Sequence, residues 1–213
     1  MNITILNTSK DHPVNSWLKM WIENYKNDHQ IHLFRSKSDL VGGNILFLIS
    51  CAEIISEDES SKFDKTLIIH ASDLPTGRGW NPHIWEIIND AKQVTLSLLE
   101  AENEIDSGDI WKNIQVKIPQ TALYKEINEL IFKAELELMD YAVTNFSRVV
   151  PTKQLLEGAS FWPKRTPQDS EIDIYKSIDE QFNLIRVCDA ERFPAFFYKD
   201  GRKFNLTIEG TDE

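Results

Sequence analysis

His70 closes the apolar run Thr66–Ile69 and opens a polar loop, Ala71-Ser72-Asp73-Leu74-Pro75-Thr76-Gly77-Arg78-Gly79-Trp80. An imidazole there can take and return protons near neutral pH. A second reactive segment, Asp106-Ser107-Gly108-Asp109, lies between two further apolar stretches. A carboxylate beside an imidazole holds the ring and favours its charged form. Both groups follow runs that read as core strands, so Asp106 and His70 can meet. The plainer reading is a histidine that caps its strand and an Asp-Ser-Gly-Asp that only turns the chain. For the second motif alone the turn is the stronger reading.

The surrounding elements decide where such groups can sit. Ile3–Leu6 and Gln30–Phe34 read as strands, and Ile45–Ile49 reads as a strand covered on both faces. Ser56–Lys65 is polar and reads as a loop or short helix, and Thr66–Ile69 as the next strand. Gln93–Glu100 and Ile110–Ile118 complete the set. Trp17, Leu18, Trp21, Ile22 and Tyr25 recur at helical spacing within Val14–Tyr25. Asn81-Pro82 opens a second helix, with Asn81 as N-cap. Leu123–Phe146 is the clearest helix, with Thr121 as its expected cap. Strands alternating with helices imply an α/β fold: a mostly parallel sheet with helices on both faces. Ligands in such sheets collect beyond the carboxyl ends of the strands, where His70 stands. Residues 1–150 form this Rossmann-like domain. Residues 151–213 form an extension: a loop at 162–167, a helix over Ser177–Ile185, and a hairpin around Asp200-Gly201.

The chain has 213 residues, with 23 Lys+Arg against 34 Asp+Glu and a formal net charge of −11. A surface of that sign repels phosphate backbones at long range, which disfavours nucleic acid as a partner. Two cysteines far apart, Cys51 and Cys188, make neither a disulfide framework nor a zinc signature and fit a reduced cytoplasm. The start lacks a basic segment and no run is apolar enough to span a bilayer. The expectation is a cytoplasmic protein with no membrane association.

Taken in order, these segments resemble the folate-dependent formyltransferase superfamily, which includes the methionyl-tRNA formyltransferases and the sugar N-formyltransferases. That family carries Asn-x-His, a Pro-Ser-Leu-Leu-Pro segment, Arg-Gly, a Val-Thr strand and Asp-x-Gly-Asp-Ile. Here stand Ile68-Ile69-His70-Ala71-Ser72-Asp73-Leu74-Pro75, Arg78-Gly79, Val94-Thr95 and Asp106-Ser107-Gly108-Asp109-Ile110. Later, Arg165-Thr166-Pro167-Gln168-Asp169 through Ile172-Asp173 resembles a segment that follows the catalytic domain in sugar and tRNA formyltransferases. Ile185-Arg186-Val187 and Phe193-Pro194-Ala195-Phe196-Phe197 resemble a further one. Five residues follow Ile208, which leaves no room for the RNA-binding barrel of the tRNA enzymes.

The resemblance implies an N-formyltransferase with N10-formyltetrahydrofolate as donor and no metal. It implies that the acceptor amine attacks the formyl carbon, that His70 takes the amine proton, and that Asp106 holds His70. It implies a pterin docked against Ser50, Cys51, Ala52 and Glu53 and against Glu102, Glu104 and Ile105. Arg78, Trp80 and Trp85 are the expected acceptor side, with Trp85 equally readable as core packing. The expected acceptor is a nucleotide-linked amino sugar, of the 4-amino pseudaminic-acid type by subfamily resemblance, in surface polysaccharide biosynthesis. A homodimer, with the extension at its interface, is common in the family.

One position departs. The family's asparagine, which polarises the formyl oxygen, is Ile68 here, and losing an oxyanion donor typically costs ~10²–10³ in rate. Ser72 or Asn81 can substitute, a backbone N–H after His70 can do so, or catalysis has been lost. The competing functions are a formyltransferase for another small or aminoacyl amine and a folate-binding protein without transfer.

Overall fold

The computed structural model describes residues 1–155 and 157–211. Its centre is a six-stranded sheet in the order β2-β1-β3-β4-β6-β7. The strands are β1 (Asn2–Leu6), β2 (Gln30–Phe34), β3 (Gly43–Leu48), β4 (Phe63–His70), β6 (Gln93–Glu100) and β7 (Ile110–Lys117). β5 is the two-residue strand Arg78–Gly79 outside this sheet. The first four central strands are parallel, and β6 is antiparallel to both β4 and β7. The sheet is therefore mostly parallel, as the alternating pattern implies.

Side chains of a strand alternate between faces, and the core divides accordingly. Ile3, Ile5, Ile45, Phe47 and Leu67 join one cluster with Leu18 and Trp21 of α1 (Val14–Tyr25) and Ile131 and Leu138 of α4 (Tyr124–Asn145). Leu6, Leu46 and Leu48 face the other way, against Leu40, Phe63 and the partly buried Cys51 and Ile55. Trp21 is fixed across the first layer by donating Nε1–H to Asp140 Oδ1 at 2.7 Å.

Several boundaries differ from expectation for physical reasons. β4 begins at Phe63, not Thr66, because Phe63 is buried in the second cluster and carries Asp64 and Lys65 into the strand. The polar stretch before it holds one short helix, α2 (Glu57–Ser60). Thr121 does not cap α4; the helix starts at Tyr124, and Glu126 Oε2 accepts the Leu123 N–H at 2.8 Å. Asn81 stands at the N-cap of α3 (Pro82–Ile88) without a side-chain cap bond. Its φ of +49° is the left-handed conformation that Asn tolerates better than most residues.

The segment after 150 has a small cluster of its own, Ile172, Ile185, Cys188 and Ala195. It contains α5 (Ile178–Arg186) and the hairpin β9 (Ala195–Lys199) with β10 (Arg202–Leu206). It is also stitched to the sheet domain. The sequence reads 162–167 as loop, yet β8 (Phe161–Trp162) pairs in parallel with β5. Arg186, 2% exposed, donates to the carbonyls of Pro119 and Ala122 just before α4. Among the described residues no helix is long and apolar enough to cross a membrane.

Two stability predictions follow from this core. Trp21→Ala removes a large side chain that is 2% exposed together with its bond to Asp140. Chemical denaturation should show a loss of ~3–5 kcal/mol. Burial lifts the Glu135 carboxyl on α4 to about 8, and its Oε2 has no hydrogen-bond partner among the described residues. Between the ordinary value of 4.5 and about 8 the folded chain holds this proton and the unfolded chain does not. Stability therefore falls as pH rises through that window. In Glu135→Gln, denaturation midpoints should exceed those of the wild type at pH 8, and the difference should shrink toward pH 5.

Candidate active site

β4 delivers His70 at its carboxyl end, beside Ser97 of β6. The β6–β7 loop leaves opposite β4, where Ala101 N–H binds Thr66 O at 2.8 Å, and then folds back toward the histidine. That return brings Asp106 Oδ2 to 3.5 Å from His70 Nδ1, with both residues under 10% exposed. The same oxygen accepts the Gly79 N–H at 2.9 Å. One carboxylate thus ties the end of β4 to the loop that follows it. At 3.5 Å the ring contact is an ion-pair distance rather than a tight hydrogen bond.

The other ring nitrogen, Nε2, lies 2.9 Å from the Gly77 carbonyl. A carbonyl only accepts, so Nε2 carries a proton in this state. Both ring nitrogens face oxygen acceptors. For His70 to act as a base, Nε2 must leave Gly77 and lose that proton.

Two glycines make this geometry possible. A Cβ on Gly79, whose φ is +97°, would lie 2.6 Å from Trp162 O; one on Gly108 would lie 1.9 Å from Glu100 O. Asp106 itself adopts φ +53°, a conformation costing a non-glycine residue roughly 1–2 kcal/mol.

The remaining expected site residues fall into distinct groups. Ser72 is fully buried with no partner for its Oγ, while its carbonyl accepts from Ser97 Oγ at 2.7 Å. Enclosed in this way, the hydroxyl is out of reach of a ligand arriving from solvent. Asn81 is exposed, with its carboxamide free of any cap bond. Arg78 is only 4% exposed; its Nη2 donates to Gln154 Oε1 at 3.0 Å and its guanidinium lies 6.0 Å from the Phe161 ring. The expected role as a phosphate holder on the cleft wall does not match that burial. Trp85 stacks on Trp162 at 5.7 Å and donates Nε1–H to Pro163 O, so it anchors the later segment. Trp80, 41% exposed, presents a ring with Lys164 Nζ 4.6 Å from its centre. Of the three expected acceptor residues, Trp80 alone is exposed.

The expected pterin loops are both at the surface. Ser50 and Ala52 are exposed, and Thr8 Oγ1 braces the first loop by accepting the Ala52 N–H at 2.9 Å. Glu53 accepts from Lys37 N–H at 2.8 Å, and Cys51 is half-buried with its thiol pushed up by burial. In the second loop Glu102, Glu104 and Ile105 are exposed. The Glu104 carbonyl accepts from Ser107 Oγ, and the N–H groups of 102–105 make no backbone bond. Free amide edges of this kind fit a flat heterocycle that alternates donors and acceptors.

Sequence reasoning passed over three neighbours. His83 on α3 is held down to about 4, first by burial and then by the charges of His70 and His12. Glu86, three residues on, is raised to about 7 by burial and then by Asp73. The i, i+3 spacing of His83 and Glu86 was the available signal. Gln154 bridges Arg78 to the Asp106 loop and had no local signal at all.

Comparison with known proteins agrees with this architecture. No family model matches the chain. A methionyl-tRNA formyltransferase of Malacoplasma penetrans (strain HF-2) is 31% identical over 142 residues, covering 65% of this chain and 44% of that protein. The chain spans less than half the length of the curated relatives it matches. Among solved structures, methionyl-tRNA formyltransferase from Clostridium thermocellum superposes with a TM-score of 0.84 at 22% identity, over all of this chain and 94% of that one. HypX from Aquifex aeolicus in complex with tetrahydrofolic acid gives 0.80 at 21% identity, over 97% of this chain and 37% of that one. A sugar N-formyltransferase from Shewanella sp FDAARGOS_354 gives 0.74 at 16%, over all of this chain and 99% of that one. The chain shares its overall fold with these methionyl-tRNA and sugar N-formyltransferase structures.

Gly108→Ala tests the Asp106 loop. The added Cβ would meet the Glu100 carbonyl, so the loop must lift from β6 and carry Asp106 away from His70. Long-range proton–nitrogen NMR should show the His70 ring nitrogens shifted from their wild-type positions as Asp106 withdraws, with thermal unfolding still cooperative.

Proposed function

We propose that this chain is an N10-formyltetrahydrofolate-dependent N-formyltransferase acting on the amine of a nucleotide-linked amino sugar. The observation that carries the transferase reading is the buried His70–Asp106 pair at the carboxyl end of β4, set in a fold shared with formyltransferases and with a structure that holds tetrahydrofolic acid. The sugar acceptor rests on the similar folds of sugar N-formyltransferases, the exposed Trp80 ring and the net charge of −11.

The donor supplies an activated formyl group, and the free amides of 102–105 with the Ser50–Glu53 loop would hold its pterin. The residues of this chain manage the proton. Once released from Gly77, neutral His70 takes the proton that the acceptor amine must lose as its nitrogen bonds the formyl carbon. Asp106 keeps the ring oriented and offsets its charge. The proton then passes to the departing folate nitrogen as the original C–N bond breaks. Ile68 has no side-chain donor for the formyl oxygen, and its side chain packs with the second core cluster. The exposed carboxamide of Asn81 is the better substitute, since Ser72 is enclosed.

A second reading, transfer to an aminoacyl-tRNA, is favoured by the 31% identity to a methionyl-tRNA formyltransferase. The acidic surface opposes it. Mass detection of the added formyl group, with nucleotide-linked amino sugars and methionyl-tRNA offered in parallel, separates the two. Transfer to a sugar is expected, and His70→Ala should lower it by about 10²–10⁴-fold. Formylation of methionyl-tRNA alone would replace the sugar reading, and folate binding with no transfer to any amine would remove the transferase reading.

A further inference from the structure

Asp106 faces a mechanical difficulty. Its backbone sits in the left-handed region at φ +53°, so the chain locally resists the conformation that aims its carboxylate at His70. Something outside the loop must hold it. Gly79 N–H grips the carboxylate, but the peptide groups around Asp106 need their own anchor.

That anchor comes from 48 residues away. Gln154 Nε2 donates to Asp106 O at 2.9 Å and to Gly108 O at 2.7 Å, spanning the left-handed turn. Its Oε1 accepts from Arg78 Nη2 at 3.0 Å. The partners fix the orientation of the carboxamide: two carbonyls can only accept and a guanidinium can only donate. A flipped amide would lose all three bonds. The carboxamide is itself located by the chain before it, where Thr152 and Ile110 exchange two backbone bonds of 2.8 Å. Arg78 is buried, has no carboxylate partner among the described residues, and precedes the glycine that holds Asp106. The bonds form a closed path: Arg78 to Gln154, Gln154 to the Asp106 backbone, and the Asp106 carboxylate to Gly79.

We infer that Gln154 is the positioning residue for Asp106, and that Arg78 acts through Gln154 to set the carboxylate against His70 rather than binding the acceptor. This rests on the formyltransferase reading for its kinetic consequence, and on geometry alone for the state of His70. Gln154 touches neither ring nor carboxylate, so its effect must pass through the loop.

The experiment uses the whole chain with Gln154→Ala, Gln154→Glu, Asp106→Asn and the double variant Gln154→Ala/Asp106→Asn. Long-range proton–nitrogen NMR reads the two ring nitrogens of His70, and thermal unfolding checks the fold. Gln154→Glu keeps an oxygen for Arg78 and loses both donors to the carbonyls, so it separates the two halves of the network and serves if the alanine variant unfolds. Both single Gln154 variants should move the His70 nitrogen shifts toward those of Asp106→Asn. In formyl transfer they should lower kcat by about 10²-fold with donor KM within about twofold. In the Asp106→Asn background, Gln154→Ala should cost less than about threefold, because residues acting as a unit are not additive. Unmoved His70 signals, an unchanged kcat, or a full additional loss in the double variant would each overturn the assignment. If the wild type transfers no formyl group, the functional reading fails by itself, and the His70 signals still decide whether Gln154 positions Asp106.

Discussion

One carboxylate oxygen governs the site. Asp106 Oδ2 faces His70 Nδ1 and accepts the Gly79 N–H at the same time. It therefore fixes the ring at the end of β4 and the loop that leaves it. An ion and an imidazole, both under 10% exposed, interact more strongly than they would in water. Burial carries a desolvation cost, so the carboxylate requires its backbone donor as well as the ring. The two glycines, the left-handed turn at Asp106 and the fold-back of the β6–β7 loop all serve to bring this oxygen to its place.

The later part of the chain belongs to the same construction. β8 lies along β5, Ser160 Oγ accepts the Gly77 N–H, and Trp162 O accepts the Trp80 N–H. The loop after His70, polar and rich in glycine, would otherwise have little to hold its backbone. Trp85, stacked on Trp162 and bonded to Pro163 O, closes the seam from the helix side. A small tail with its own apolar cluster can thus stabilise the loop after His70, with Ser160 bonded to a residue 83 positions earlier.

Two further titratable groups, His83 and Glu86, stand on α3 beside the site. His83, kept neutral by burial and by its neighbours, adds no competing positive charge. Burial and then Asp73 raise the Glu86 carboxyl to about 7, so it changes charge near neutrality. These groups set a local field that no single motif in the chain announces.

Short apolar runs, some alternating and some continuous, and helical spacing located the six strands, the two long helices and His70 at a strand end, while the strand order and the antiparallel course of β6 came only with the fold. The ordered motifs likewise marked Asp106 as the partner of His70. Local patterns could not reveal contacts between distant segments. Tertiary structure decided that Arg78 and Trp85 brace the loop, that Ser72 is enclosed, and that β5 finds β8. It also decided that Gln154 reaches Asp106. Each of these depends on a contact between segments far apart in sequence, among them hydrogen bonds of 2.9 and 3.0 Å that local pattern does not announce.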